Sequence, residues 1–120
     1  MARISYLRAM ASSTPVTPTE ETHERILAEL DQRLQRAYLG GGQKSIDKHK
    51  AKGKWTARER IDYLLDEPEK AVEVGALVGE DMYPEHGGCP SGGVVVKIGK
   101  VKGRLCVIVA NDATVKAGAW

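Results

Sequence analysis

The sequence has few aromatic residues and no phenylalanine. Two Trp and four Tyr stand among its 120 residues, so the core must be built from Val, Ile, Leu and Ala. Its two cysteines, Cys89 and Cys106, are too few for a multi-bridge framework, and their lack of CxxC spacing argues against a zinc ribbon and a dithiol redox centre. The sequence contains no run of about 18 apolar residues, so it predicts no membrane span. These absences favour one domain, or a piece of a larger one, in a reduced, intracellular setting.

Motifs for nucleotide binding and nucleophilic catalysis are also missing. The glycine runs are not followed by the GKS/T of a phosphate loop, and no GxGxxG follows a predicted strand. His23 and His49 have no carboxylate at a helical spacing that would orient them as bases. His86 and Cys89 are spaced for a metal, but no second pair of ligands is present. We therefore assign no catalytic residue and no metal ligand.

Positive charge is concentrated in one stretch. Residues 43–60 hold seven basic and two acidic side chains, whereas the rest of the chain holds eleven basic and fourteen acidic ones. Such a stretch attracts phosphate groups, a nucleic-acid backbone or an acidic protein surface, although a solvated lysine-rich face is the commoner explanation. A small phosphate- or nucleic-acid-binding module is therefore one alternative function. Trp55 alone interleaves an aromatic ring with the basic residues, which argues against nucleic acid.

The first part of the chain predicts a leader and an amphipathic helix. Residues 1–17 contain no acid and read as a flexible leader, whose composition also resembles an organelle transit peptide. Thr17 and Glu20 form a capping pair around Pro18, and a helix is predicted over about 18–39, with residues 40–42 as its glycine linker. Its apolar stripe consists of Ile26, Leu27, Leu30, Leu34, Ala37 and Tyr38. This stripe needs a partner surface, so a subunit-assembly element is a second alternative.

A second capping box lies near the end of the basic stretch. Residues 43–54 predict a short basic helix or an irregular segment that breaks at Gly53. Thr56 and Glu59 of TARE then begin a helix that runs to about Leu65. The basic side chains at the start of this helix are Lys54, Arg58 and Arg60. Because they add to the positive end of the helix dipole, this corner favours an anion.

The remaining residues predict a β-rich, layered α/β structure. A short strand begins near Ala71, and two longer strands over 94–101 and 104–112 are joined by a two-residue turn. The last strand is apolar at every position over 105–110, which predicts burial on both faces. Asn111, Asp112 and Thr114 follow it, where α/β proteins place ligands or where turn chemistry bonds the backbone. The sheet looks unfinished, so we expect the N-terminal part of a longer protein.

Two blocks of sequence resemble one family. GKWTARERIDYLLD at 53–66 is similar to the GKLTARERI-LLD signature of carboxyltransferase subunits of biotin-dependent acyl-CoA carboxylases, and residues 92–120 resemble a later block of the same subunits. The wording ANDATVK is closest to the methylcrotonyl-CoA carboxylase type, and a subunit of the methylcrotonyl or propionyl kind is expected. The resemblance implies that 43–120 is the incomplete start of a carboxyltransferase domain. It also implies a crotonase-like α/β fold of stacked β-β-α turns, preceded by helices.

The resemblance further implies transfer of carboxylate from carboxybiotin to an acyl-CoA. Biotin would be carried by a partner biotin carboxylase or carrier subunit, the carboxyltransferase subunits would form a homo-oligomer, and the compartment would be the cytoplasm or the mitochondrial matrix. The family's oxyanion loops lie further along, so no catalytic residue is transferred and the 120 residues alone are expected to be inactive. Trp55 stands where the family has Leu, and Ala117 where a second Gly is common. The residues expected to bind CoA are Lys54, Arg58, Arg60, Asn111, Asp112, Thr114, Lys116 and Gly118.

Overall fold

A computed structural model describes residues 18–119. Three α-helices precede and accompany three β-strands: α1 (Pro18–Tyr38), α2 (Gln43–Lys50), α3 (Ala57–Leu64), β1 (Val72–Val74), β2 (Val94–Val101) and β3 (Arg104–Asn111). Short 3₁₀ turns occupy Pro68–Lys70, Pro84–His86, Pro90–Gly93 and Lys116–Gly118. The chain divides into two compact units, Met1–Arg33 and Leu34–Trp120. The predicted leader and the cap at Thr17 lie outside the described residues.

The first unit is described through α1 as far as Arg33. Glu20 and Glu21 lie in the first turn of this helix, where acidic side chains favour the positive end of the helix dipole. Ile26 is exposed, while Leu27 and Leu30 are half-buried. The helix occupies the range that the sequence predicted, and its apolar stripe is only partly covered within this unit.

The second unit is organised around the capped helix α3. Thr56 Oγ1 accepts a hydrogen bond from the Glu59 amide at 3.3 Å, and Glu59 Oε2 accepts one from the Thr56 amide at 2.9 Å. This is the capping box that the sequence predicted. One face of the helix then forms the core with Ala57, Ile61, Leu65 and Val95 of β2. Burial of one such aliphatic side chain stabilises the fold by about 1.5–3 kcal/mol.

The sheet is antiparallel, with the order β1-β2-β3. Strands β2 and β3 form the predicted hairpin, in which Val101 pairs with Arg104 and Val94 with Asn111. Both turn residues, Lys102 (φ 47°) and Gly103 (φ 76°), are left-handed, as a tight hairpin turn requires. Their amides donate to the Asp66 carboxylate at 2.8 and 2.7 Å, so the residue that follows α3 by two positions holds the turn.

The prediction that β3 is buried on both faces is wrong. Val107 and Val109 are 65% and 56% exposed, whereas Ile108 and Ala110 pack against the core under α3. The strand pairs on one side only, and a helix covers one face of the sheet within the described part of the chain. Val72 and Val74 of β1 are also exposed. The alternation of burial is therefore that of a half-covered antiparallel sheet.

Within residues 18–119, no helix is long and apolar enough to cross a membrane. The same residues contain no group of three or more His, Cys, Asp and Glu side chains that could hold a metal ion. Cys89 and Cys106 are both free thiols and half-buried.

Candidate functional site

Arg58, one of the residues expected to bind CoA, has an internal partner. Its guanidinium donates to both carboxylate oxygens of Glu73, at 2.6 and 3.3 Å, and the two side chains are only 15% and 10% exposed. The same group donates to Ser91 Oγ at 3.1 Å and lies 5.0 Å from the centre of the Tyr38 ring. Bidentate pairing of this kind fixes geometry as well as charge. Arg58 thus joins α3 to β1, to the end of α1 and to the loop before β2.

Asp112 and Thr114, two more of the expected residues, form a junction with the glycines after α1. The buried Asp112 carboxylate accepts from the amide and the hydroxyl of Thr114, at 2.9 and 2.6 Å. Thr114 Oγ1 in turn accepts from the Gly41 amide at 3.1 Å. A Cβ on Gly41 would stand 1.8 Å from the carbonyl oxygen of Thr114, so only glycine allows this approach. Turn chemistry after β3, the open alternative from the sequence, is what these contacts show.

Lys116 and Gly118 lie beyond that junction. Lys116 Nζ donates to the carbonyl oxygen of His86 at 3.0 Å, and the Gly118 carbonyl oxygen accepts from Asn111 Nδ2 at 3.4 Å. Three successive residues here have left-handed φ values: 45° at Lys116, 55° at Ala117 and 80° at Gly118. The two non-glycine residues carry local strain in this conformation. The segment is therefore held by contacts at both of its ends.

Lys54, Arg60 and Asn111 line a single cleft between α3 and β3. The cleft has a volume of about 1050 Å³, and β3 supplies one wall with Ile108 to Asn111. Its charged or imidazole side chains are His49, Lys54 and Arg60, and no carboxylate lines it among the residues the structure describes. The structure thus brings together two of the expected cations and one expected amide. Arg58, Asp112 and Thr114 border a separate, small cavity of about 40 Å³.

The mouth of the cleft carries two exposed aromatic rings. Trp55 is 53% exposed and Tyr63 is 79% exposed, and their ring centres lie 5.0 Å apart at an interplanar angle of 74°. In the sequence, Trp55 stood out as a departure from Leu and as the aromatic residue within the basic stretch, whereas Tyr63 was missed. The signal available in the sequence was a Tyr on the polar side of α3, two residues after the buried Ile61.

A neighbouring pocket of about 670 Å³ shares Lys54, Trp55 and Tyr63 with the cleft but has mixed charge, because Glu59 and Asp62 also line it. Lys50 Nζ lies 2.6 Å from Glu59 Oε1. The hydrogen bond from Lys50, followed by that from the Thr56 amide, lowers the pKa of Glu59. Lys97 Nζ likewise lies 2.6 Å from Asp62 Oδ1. These carboxylates are neutralised locally, so the positive charge of Lys54 and Arg60 dominates the cleft.

A capped helix lies over one face of an antiparallel sheet, beside a basic cleft that no carboxylate of residues 18–119 lines. This arrangement defines an α/β protein whose site suits a phosphate-bearing ligand. Comparison with known proteins is more specific. Residues 48–120 match the carboxyl transferase domain family. The chain belongs to this family, and the resemblance seen in the sequence is confirmed.

The chain is similar to named relatives and to a solved structure. The chain is 43% identical over 100 residues to the biotin-dependent 3-methylcrotonyl-coenzyme A carboxylase beta1 subunit of Mycobacterium tuberculosis, covering 83% of this chain and 18% of the relative. It is 49% identical over 81 residues to the probable mitochondrial methylcrotonoyl-CoA carboxylase beta chain of Drosophila melanogaster, covering 68% and 14%. The structure of transcarboxylase 12S, a hexamer with methylmalonyl-coenzyme A bound, aligns with a TM-score of 0.69 at 34% identity, covering 80% of this chain and 19% of that one. The chain thus spans less than a fifth of these proteins.

Proposed function

We propose that the chain is part of the carboxyltransferase subunit of a biotin-dependent acyl-CoA carboxylase. In this reaction, carboxylate passes from carboxybiotin to a carbon of the acyl group of an acyl-CoA. The family match over 48–120 and the methylcrotonyl-CoA carboxylase relatives support the proposal. No side chain among the described residues is proposed to be catalytic. We expect the 120 residues by themselves to have no carboxyltransferase activity.

The observation that carries a role for this chain in the reaction is the cleft between α3 and β3. CoA bears phosphate groups, and Lys54 and Arg60 supply cations for them in a cleft that no carboxylate lines in the described part of the chain. Asn111 supplies an amide at the same wall. The other expected residues do not line this cleft, and they are proposed to hold the surrounding backbone in place through their own hydrogen bonds: Arg58, Asp112, Thr114, Lys116 and Gly118.

The wider setting is proposed from the relatives. The crotonase-like superhelix would include this sheet, the subunit would form a homo-oligomer, and biotin would arrive on a biotin carboxylase or carrier partner. The transcarboxylase hexamer and the names of the biotin-dependent relatives support these assignments. The cytoplasm is the proposed compartment and the mitochondrial matrix the alternative, since the relatives include bacterial and mitochondrial proteins.

Calorimetric titration of the chain with CoA tests the assignment of the cleft. Lys54→Gln and Arg60→Gln should each weaken CoA binding about fivefold to tenfold, because each removes a charged hydrogen-bond donor from the phosphates. Lys52→Gln is the matched control: Lys52 is exposed in the same segment, and the cleft lining does not include it. Equal losses in all three variants would indicate nonspecific charge attraction. Unchanged binding in the first two would contradict the assignment.

A further inference from the structure

Trp55 and Tyr63 expose aromatic surface beside cations, and neither ring is needed for the core. The core around α3 consists of Ala57, Ile61, Leu65 and Val95, with partly buried neighbours that do not include the two rings. In an edge-to-face pair, one ring keeps both of its faces free of the other, and the second ring keeps one. The pair therefore offers open ring faces at the mouth of a cleft lined by Lys54 and Arg60.

The backbone around Trp55 is held in place on both sides. The Gly53 amide donates to the Lys50 carbonyl oxygen at 2.8 Å, and His49 Nε2 lies 3.0 Å from the Trp55 carbonyl oxygen. The next residue, Thr56, is fixed by the capping box. Tyr63 lies on α3 itself. A ring on such a framework loses little conformational freedom when a ligand stacks on it.

We propose that Trp55 and Tyr63 form a stacking platform for the adenine ring of CoA, with the adjoining phosphates on Lys54 and Arg60. This inference rests on the proposed binding of CoA in the cleft. The juxtaposition of open ring faces and cations matches the two chemistries of a phosphorylated nucleoside: a flat ring and an anion. The family pattern GKLTARERI has Leu at the position of Trp55, so the indole is a feature of this chain.

The affinity of the full 120-residue chain for CoA, measured by calorimetry, tests the platform. Trp55→Leu should raise Kd about tenfold, because the aliphatic side chain removes the stacking surface. Trp55→Phe should stay within about threefold of the unchanged protein, because a flat ring remains. Tyr83→Leu is the control, since Tyr83 is another exposed Tyr and does not line the cleft. Adenosine 3′,5′-bisphosphate should show the same order of affinities as CoA.

The outcomes separate the platform from the CoA site. If the unchanged protein and both Trp55 variants bind CoA with the same Kd, the stacking proposal is wrong and the CoA site stands. If CoA binding is lost in Lys54→Gln and Arg60→Gln but untouched in Trp55→Leu, the same conclusion follows. If CoA does not bind the unchanged protein at all, the cleft assignment and the platform both fail. Because Trp55 is exposed, the Tm of its variants should match that of the unchanged protein. An unchanged Tm would show that weaker binding is due to lost stacking and not to a folding defect.

Discussion

Arg58 Nη2 lies 2.6 Å from Glu73 Oε1, and this ion pair crosses from α3 to the inner face of β1. Glu73 is the polar residue between two exposed valines, so the strand turns its charge inward and its apolar side chains outward. This inversion is stable because Arg58 satisfies the carboxylate within the fold.

We expect Arg58→Met to lower the free energy of unfolding by about 1.5–3 kcal/mol, because it leaves the half-buried Glu73 carboxylate without its charged hydrogen-bond partner. Urea unfolding followed by circular dichroism measures the change. The double variant Arg58→Met with Glu73→Met should recover part of the loss, since neither charge is then stranded. If Arg58 instead binds CoA directly, the single variant would weaken CoA binding and leave the unfolding free energy unchanged.

The junction between Gly41 and Thr114 gives a second prediction. Gly41→Ala should destabilise the protein by at least about 2 kcal/mol, because its new methyl group meets the Thr114 carbonyl oxygen. Gly42→Ala is the neighbouring control: its Cβ meets open space, and its cost of about 1–3 kcal/mol comes from the backbone conformation alone (φ 90°, ψ 162°). Equal urea midpoints for the two variants would show that the close approach is not rigid.

The pH dependence of stability should report the carboxylate that holds the hairpin turn. Hydrogen bonds from the Gly103 and Lys102 amides lower the pKa of Asp66 below its ordinary value. A lowered folded-state pKa means that this stabilisation is fully present above the unfolded pKa and is lost as the pH falls through the lower, folded value. The difference in unfolding free energy between the unchanged protein and Asp66→Asn should therefore be larger at pH 6 than at pH 3.

Asp81→Asn serves as the control for charge, because Asp81 is an exposed acid in the loop before β2. It removes the same charge at a site that the amides of the hairpin turn do not contact. If the difference in unfolding free energy between the unchanged protein and Asp66→Asn did not change with pH, the claim that this carboxylate stabilises the turn would be wrong.

The two faces of β3 should respond differently to the same substitution. Val107→Thr should change the unfolding free energy by less than about 0.5 kcal/mol, whereas Ile108→Thr should cost about 1–2 kcal/mol. The reason is that Val107 is exposed and Ile108 packs against the core under α3. If Val107→Thr were as costly as Ile108→Thr, the outer face would be covered in solution.

Local signals predicted much of this fold. The capping box at Thr56, the hairpin turn at Lys102 and the glycines after α1 each depend on a few neighbouring residues, and the structure has all three. The faces of β3 could not be predicted in this way, because an unbroken apolar run does not reveal whether one or two layers cover it.

Likewise, only some residues of the candidate site could be predicted from local sequence. Residue type and the helix dipole pointed to the cations at the start of α3, and Lys54 and Arg60 do line the cleft. Nothing local distinguished them from Arg58, whose partner Glu73 lies 15 residues away. The Trp55 and Tyr63 pair likewise depends on how the Gly53 turn places one ring against the helix that carries the other.

The most direct test of the central claim is a map of the amide chemical shifts of the isotope-labelled chain during titration with CoA. The largest changes in amide chemical shift should occur in residues 53–64 and 108–113, which form the two walls of the cleft. The hairpin turn at Lys102 and Gly103 should change little and serves as the internal reference. Changes centred on the exposed Val72, Val74 and Val107 face, or no saturable change at all, would contradict the claim that this cleft binds CoA.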